Sequence, residues 1–532
     1  MAPLAGVAMV LPGLLWACLD YRPWPWDQAQ YAEYTLRTLG AFDEGPLAGL
    51  AAMGVLMAVR APGLTWLGAP FALLEDFLGR TEPALLCATL AFQAGTLLAC
   101  YWSACRVSGS RLTALAVTAF IGSTPLFVAM NHQYLVEPLQ THAVALSFLL
   151  ALCSHRLSRV ALLAALSGVA ALAMAAKSTS PLYCGLPLLV ATAVLLARRP
   201  AVPGRLARSL EVPLLLLALF GVALVANWYA THFAAMAENA RQATVGPVAL
   251  GYGTPAGFPS KLWHWISQFG YALFFPSPLV LLAAALAAGA AIARPRRSIR
   301  GDRGAGSPSP EAPAGWVVVA AAAGLAAAFV AYSLQINEDP RFLQPLLPAT
   351  AILLAWLCSR RQQRAASAAL LAAALVQFIL VYGYALGLSP KASSHHYLQA
   401  VERDGTQRSR LQRVVKLTCD PRRPLDVNLV GVQYAWMNAS SLNFYAVVAQ
   451  ARQPVCRYTS LEYPGNPQGT ALKKLDVLGH HYYIAVAPDK MLPPDFVNRE
   501  ASAALARVAT SREWEYVSTI DDTVVIYRSK RY

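Results

Sequence analysis

Charged residues are scarce in this chain, at 13% of 532, and they seldom interrupt its long apolar runs. That scarcity excludes an ordinary soluble globular protein, whose composition is about 25% charged. CxxC spacing is absent, as is any zinc-protease spacing around His132, His142, His395, His396, His480 or His481, so nothing marks a metal site. No nucleotide-binding glycine motif occurs, since the glycines between Gly251 and Gly257 read as a plain loop. The net charge of +15 comes without a basic, aromatic-interleaved soluble module, which argues against a nucleic-acid partner. The amino-terminal run lacks a basic n-region and is followed by further apolar runs, so it reads as a retained helix. Cys18, Cys87, Cys100, Cys105, Cys153, Cys184 and Cys358 lie in or beside apolar runs and read as small hydrophobes. Only Cys419 and Cys456 fall in the polar tail, where a disulfide between them is left open.

What is abundant is hydrophobic sequence, at 56%. A helix crossing a bilayer needs about 20 apolar residues. Candidate spans run from Leu4 to Leu19, Pro83 to Cys105, Leu112 to Met130, Pro138 to Cys153, Val160 to Ala176 and Pro181 to Ala197. The series continues from Val212 to Ala230, Ile266 to Ala293, Trp316 to Leu334, Phe342 to Cys358 and Ala365 to Leu386, about 11 spans in all. Arginines concentrate in alternate loops: Arg106 and Arg111; Arg156 and Arg159; Arg198 to Arg208; Arg294 to Arg303; Arg360 to Arg364. Basic short loops stay in the cytoplasm. The amino terminus is then expected inside a bacterial inner membrane, with the first loop (20–82) and the carboxyl tail on the periplasmic side. In that loop, Leu47 to Val59 and Leu64 to Leu74 are too short to cross and read as interfacial or re-entrant helices. Residues 294–313 form a flexible linker.

The expected organisation is a polytopic α-helical membrane domain over 1–388 and a soluble α/β domain over 389–532. In the tail, a helix is predicted from Tyr397 to Leu417 and strands from Val427 to Val432 and Tyr482 to Val486. A hairpin, Tyr516 to Ile520 and Thr523 to Tyr527, turns at Asp521 and Asp522.

Just beyond the first span, Trp24-Pro25-Trp26-Asp27-Gln28-Ala29-Gln30-Tyr31 places a carboxylate among aromatics at headgroup depth. Desolvation is expected to raise its basicity and suit it to take a proton from a hydroxyl. The plainer alternative is an exposed loop acid beside an interfacial tryptophan belt. Trp263, His264 and Trp265 read as an anchor holding a helix at the interface, with stacking on a sugar as the alternative.

With its first-loop acid and tyrosine-bearing helix, this stretch resembles the first-loop motif of the GT-C superfamily of membrane glycosyltransferases. In the family's order follow Arg60-Ala61-Pro62 through Trp66, Leu135-Val136-Glu137-Pro138-Leu139, Ala176-Lys177-Ser178-Thr179-Ser180-Pro181 and Pro340-Arg341-Phe342-Leu343-Gln344-Pro345-Leu346-Leu347-Pro348. The nearest likeness is to the protein O-mannosyltransferase and lipid A aminoarabinose transferase branch. Two positions depart from the pattern: Gln28 stands where many relatives carry a second acid, and Glu137 where aspartate is commoner. The resemblance implies Asp27 as catalytic base, Glu137 as a second acid orienting sugar or acceptor, and Arg60, Lys177 and Arg341 as contacts for the donor phosphate. It further implies a polyprenyl-phosphate sugar as donor, inversion at the anomeric carbon, and a glycan, lipid or protein hydroxyl as acceptor. Whether a divalent metal assists is left open. Intramembrane charges such as Lys177 and Glu137 also suit a transporter or flippase, and Gln28 suits a non-catalytic assembly factor on the same fold.

Overall fold

The computed structural model describes residues 2–197, 205–276, 312–359, 363–389, 397–420, 426–450, 456–462, 480–493 and 498–531, with short stretches between. Arg198, Arg199, the arginines of 294–303, Arg360, Arg361, His395 and His396 lie outside the described residues, as does nearly all of the 294–313 linker.

The apolar runs become helices. They are α1 (Ala2–Leu19), α6 (Thr81–Ser108), α7 (Arg111–Ser123), α8 (Pro125–Asn131), α9 (Glu137–Cys153), α10 (Arg159–Ala176) and α11 (Pro181–Ala197), then α12 (Arg205–Thr244), α13 (Phe258–Leu273), α14 (Ala312–Ser333), α15 (Leu347–Leu357) and α16 (Gln363–Ala385). Among the described residues five helices are long and apolar enough to cross a bilayer, or six with α7 and α8 taken as one span bent by 63°. The sequence expectation of about 11 counted shorter helices as well. α9 and α11 have 17 residues each, and α15 has 11 because a 3-10 turn, Pro340–Leu346, takes up the start of its run. The run from Ile266 is helical to Leu273 and lies partly outside the described residues beyond that point. The bend between α7 and α8 has a local cause: Pro125 has no N–H to continue α7, and Thr124 caps the new helix by accepting from the Phe127 amide.

α6 packs against α1, α7, α9 and α15 at the centre of the bundle. α12 stands at its edge on α10, with Leu214, Leu216, Leu217 and Phe220 exposed. So large an apolar surface on a helix of 40 residues needs lipid as its solvent.

The first loop is largely helical: α2 (Trp26–Glu44), α3 (Pro46–Val55), α4 (Gly63–Gly68) and α5 (Glu75–Leu78). After α16 the chain passes into a small domain with α17 (Thr406–Thr418), β1 (Asp426–Val430), α18 (Ala439–Ala449), β2 (Cys456–Ser460), β3 (Tyr482–Val486), α19 (Ala501–Thr510), β4 (Trp514–Ile520) and β5 (Val524–Ser529). The strands form one mixed sheet in the order β2-β1-β3-β5-β4, parallel through β3 and antiparallel beyond it. The hairpin turns at Asp521 and Asp522, both left-handed at φ 48 and 49°, conformations that Asp tolerates. Cys419, just past α17, is bonded to Cys456 at the head of β2.

The helix expected from Tyr397 begins only at Thr406. The residues before it are committed elsewhere: Val401 N–H donates to Ala385 O at 2.7 Å, Glu402 N–H to Asp20 Oδ1 at 2.7 Å, and Glu402 O accepts from Tyr21 N–H at 2.7 Å. This strap and α18 clamp the small domain onto the first loop. Trp24 lies between the rings of Tyr134 and Phe444, each 5.6 Å away, and its carbonyl accepts from Ser441 Oγ at 2.6 Å. The start of α2 is thereby fixed from both sides.

Candidate active site

α2 starts abruptly because Pro25 is extended at φ −85 and ψ 157° and Trp26 adopts a left-handed φ of 26°. A non-glycine residue there stores backbone strain, which surrounding packing must hold in place. The strain delivers Asp27 into the first turn, where the helix dipole favours a carboxylate. Asp27 Oδ1 lies 2.7 Å from Arg60 Nη1, and its Oδ2 lies 3.1 Å from Arg341 Nη1.

Glu137 opens α9 and is almost completely buried, with its Oε1 2.8 Å from Lys177 Nζ and 3.6 Å from Arg341 Nε. Lys177 caps the carboxyl end of α10, where a cation is favoured, and its ammonium sits 4.4 Å from the centre of the Phe342 ring. Arg341 comes from the 3-10 turn and also faces Asp339, at 2.8 Å. The five residues singled out in the sequence thus lie in one cluster, and Asp339 joins them. Glu137 forms its floor. Asp27, Arg60, Lys177 and Arg341 are 26, 24, 22 and 18% exposed, so solvent and solutes can reach the rim.

Burial alone would raise the pKa of Asp27, but Arg60 and then Arg341 outweigh it and hold the carboxyl below its usual range. This corrects the expectation of an acid made more basic by desolvation. With both oxygens ion-paired, Asp27 is a stable anion and a weak base as the cluster stands.

Gln28 does not face the cluster. It is buried, its Oε1 accepts from the Tyr134 amide at 3.2 Å, and its Nε2 donates to Gln133 Oε1. Among the described residues no group of three His, Cys, Asp or Glu side chains is placed to hold a metal ion. His132 stacks on Trp16 at 4.1 Å, and Trp265 is buried against Tyr332 at 4.8 Å while Trp263 stays exposed. A cavity of about 270 Å³ lined by Leu36, Asp43, Glu75, Val448 and Arg452 lies away from the cluster, since Leu36 is half a turn round α2 from Asp27.

Asp339 and its partner Tyr397, whose hydroxyl lies 3.0 Å from each Asp339 oxygen, were missed in the sequence. For Asp339 a signal existed, an acid two residues before Arg341. For Tyr397 none did.

No family model matches the sequence, and no curated protein is similar to it in sequence. Comparison with solved structures is more informative. The chain aligns with ArnT from Cupriavidus metallidurans in the apo state at a TM-score of 0.55 and 15% identity, over 98% of this chain and 97% of that one. With ArnT of the same organism bound to undecaprenyl phosphate, the TM-score is 0.57 at 14% identity, over 98% and 97%. The chain shares the fold of ArnT. AftD, a mycobacterial arabinofuranosyltransferase, aligns at a TM-score of 0.50 and 14% identity, covering 99% of this chain but 39% of the larger protein. In this fold the charged cluster stands where the first loop, the head of α9, the carboxyl end of α10 and the turn before α15 converge.

Proposed function

We propose that the protein is an inverting glycosyltransferase that moves a sugar from a polyprenyl phosphate to an acceptor hydroxyl on a glycan, lipid or protein. The observation that carries this reading is the Asp27 carboxylate bracketed by Arg60 and Arg341 at the rim of a half-open cluster. The undecaprenyl phosphate bound by ArnT supports a carrier of that chemistry.

Donor and acid compete for the same cations. When the donor phosphate enters, Arg60, Lys177 and the Nη groups of Arg341 exchange carboxylate oxygens for phosphate oxygens, charge-assisted contacts that strengthen as charge develops on the leaving group. Asp27 loses its ion pairs in that exchange and becomes basic enough to take the acceptor's proton. The acceptor oxygen then forms a bond to the anomeric carbon on the face opposite the phosphate, the carbon–oxygen bond to phosphate breaks, and polyprenyl phosphate departs with that electron pair. The proton ends on Asp27. Glu137 Oε2 is buried without a hydrogen-bond partner, an arrangement that costs free energy until a hydroxyl is offered to it. A sugar hydroxyl supplies one. The arginine-rich loops support an inner-membrane orientation with the cluster and the small domain on the periplasmic side.

The test is turnover in vesicles carrying a polyprenyl-phosphate sugar. Wild-type protein releases carrier phosphate in step with glycosylated acceptor, and Asp27→Asn reduces this about a thousandfold while remaining folded. Movement of the donor lipid across the vesicle without carrier release would instead identify a flippase.

A further inference from the structure

We infer that Asp339 and Tyr397 are positioning residues that aim Arg341 at the donor phosphate, so that the strap leading to the small domain sets the geometry of the phosphate site. This inference rests on the glycosyltransferase reading.

Arg341 faces three carboxylates and has a long, rotatable side chain, so without a fixed anchor it would divide its time among them. Asp339 is the anchor. It is buried, its Oδ2 lies 2.8 Å from Arg341 Nε, and its Oδ1 accepts from the Arg341 backbone N–H at 3.1 Å. Its own backbone N–H donates to Asn337 Oδ1 at 2.9 Å. The Nε–Oδ2 approach is an ion pair outside hydrogen-bond geometry, and Nη1 of the guanidinium donates to Asp27.

Asp339 is fixed in turn by the Tyr397 hydroxyl, which is shared between both carboxylate oxygens at 3.0 Å each. Burial, opposed by Arg341 and reinforced by Asp339, holds the Tyr397 phenol well above its ordinary pKa, so it remains a donor. The strap does not need this hydroxyl for its own placement. Backbone bonds from Val401 to Ala385 and from Tyr21 to Glu402, and the Arg22 guanidinium on Ala400 O at 2.7 Å, already secure it. The hydroxyl's interaction with Asp339 therefore serves the arginine, and holding a phosphate-binding fork in one orientation in advance is the arrangement that lowers a reaction barrier.

The experiment is a double-mutant cycle with Tyr397→Phe and Arg341→Lys in reconstituted full-length protein. It reads kcat and KM for release of carrier phosphate and, separately, binding of undecaprenyl phosphate. Tyr397→Phe is expected to lower kcat/KM about tenfold with an unchanged melting temperature, and to lose nearly all of that effect in the Arg341→Lys background. A full tenfold loss in both backgrounds, or no loss in either, overturns the inference. Should Tyr397→Phe fail to fold, Asp339→Asn is read by the same criteria. If Arg341→Lys is impaired and Tyr397→Phe is not, the relay alone falls. If the wild type releases no carrier phosphate from any donor, the glycosyltransferase reading falls, and the binding cycle still reports whether Tyr397 orients Arg341.

Discussion

Two ionic clusters in this molecule are built from the same kinds of side chain and differ in how their partners are shared. Between the first loop and the small domain, Glu82 is the one carboxylate ion-paired with Arg408 among the described residues, Nη2 donating to one oxygen at 3.2 Å and Nε standing 2.9 Å from the other, and Tyr445 adds its hydroxyl to Glu82 at 3.1 Å. In the charged cluster Arg341 is divided among Asp27, Glu137 and Asp339, and the rim is open. A pair with one carboxylate, itself buried, has no second anion to exchange with and acts as a lock. A shared, half-open set can trade one anion for another at little cost, which is what a phosphate-binding site requires.

The largest expected effect falls on the open cluster. Arg60→Ala should reduce kcat/KM with a polyprenyl-phosphate donor by about a thousandfold, roughly 4 kcal/mol, while thermal unfolding changes little. Glu82→Gln should do the reverse, destabilising the folded protein by about 3 kcal/mol because Arg408 is left without its counter-ion, with turnover preserved where the protein stays folded. Chemical denaturation and a kinetic assay on the same preparation check both, and equal effects on stability and turnover in either variant would erase the distinction. A smaller loss, about 2 kcal/mol, is expected in the small domain from Cys419→Ser with Cys456→Ser, read as a lowered denaturation midpoint relative to the disulfide-bonded protein.

The smallest effect is with pH. Asp27 is held below its ordinary pKa, so its ion pairs contribute stability that is complete above about pH 4 and is lost only as pH falls through the lower folded value. Between pH 8 and 5 the stability difference between wild type and Asp27→Asn should therefore stay flat, as followed by thermal unfolding.

Much of the helical architecture was legible because apolar runs and arginine spacing are local signals. So were β3 and the hairpin at Asp521 and Asp522, where alternation and turn chemistry agree. β2 was missed because Cys-Arg-Tyr-Thr-Ser is not an apolar run, and its strand character comes from parallel pairing with β1. The helix start before Thr406 was misplaced because the strap's backbone groups bond to residues far away in sequence. The members of the cluster were readable one at a time, but the state of Asp27 was not. Its second arginine lies 314 residues along the chain, and only the fold reveals that both carboxylate oxygens are taken. Tyr397 shows the same limit, since nothing local in the strap marks it as the partner of Asp339.

On the proposed mechanism Asp27 and the donor phosphate compete for Arg60 and Arg341. Binding of undecaprenyl phosphate to wild type and to Asp27→Asn, compared at one salt concentration, tests it most directly. Freed from their carboxylate, the arginines should bind the lipid at least several-fold more tightly in the variant even though its turnover is about a thousandfold lower. Equal or weaker binding by a folded Asp27→Asn protein would contradict the claim.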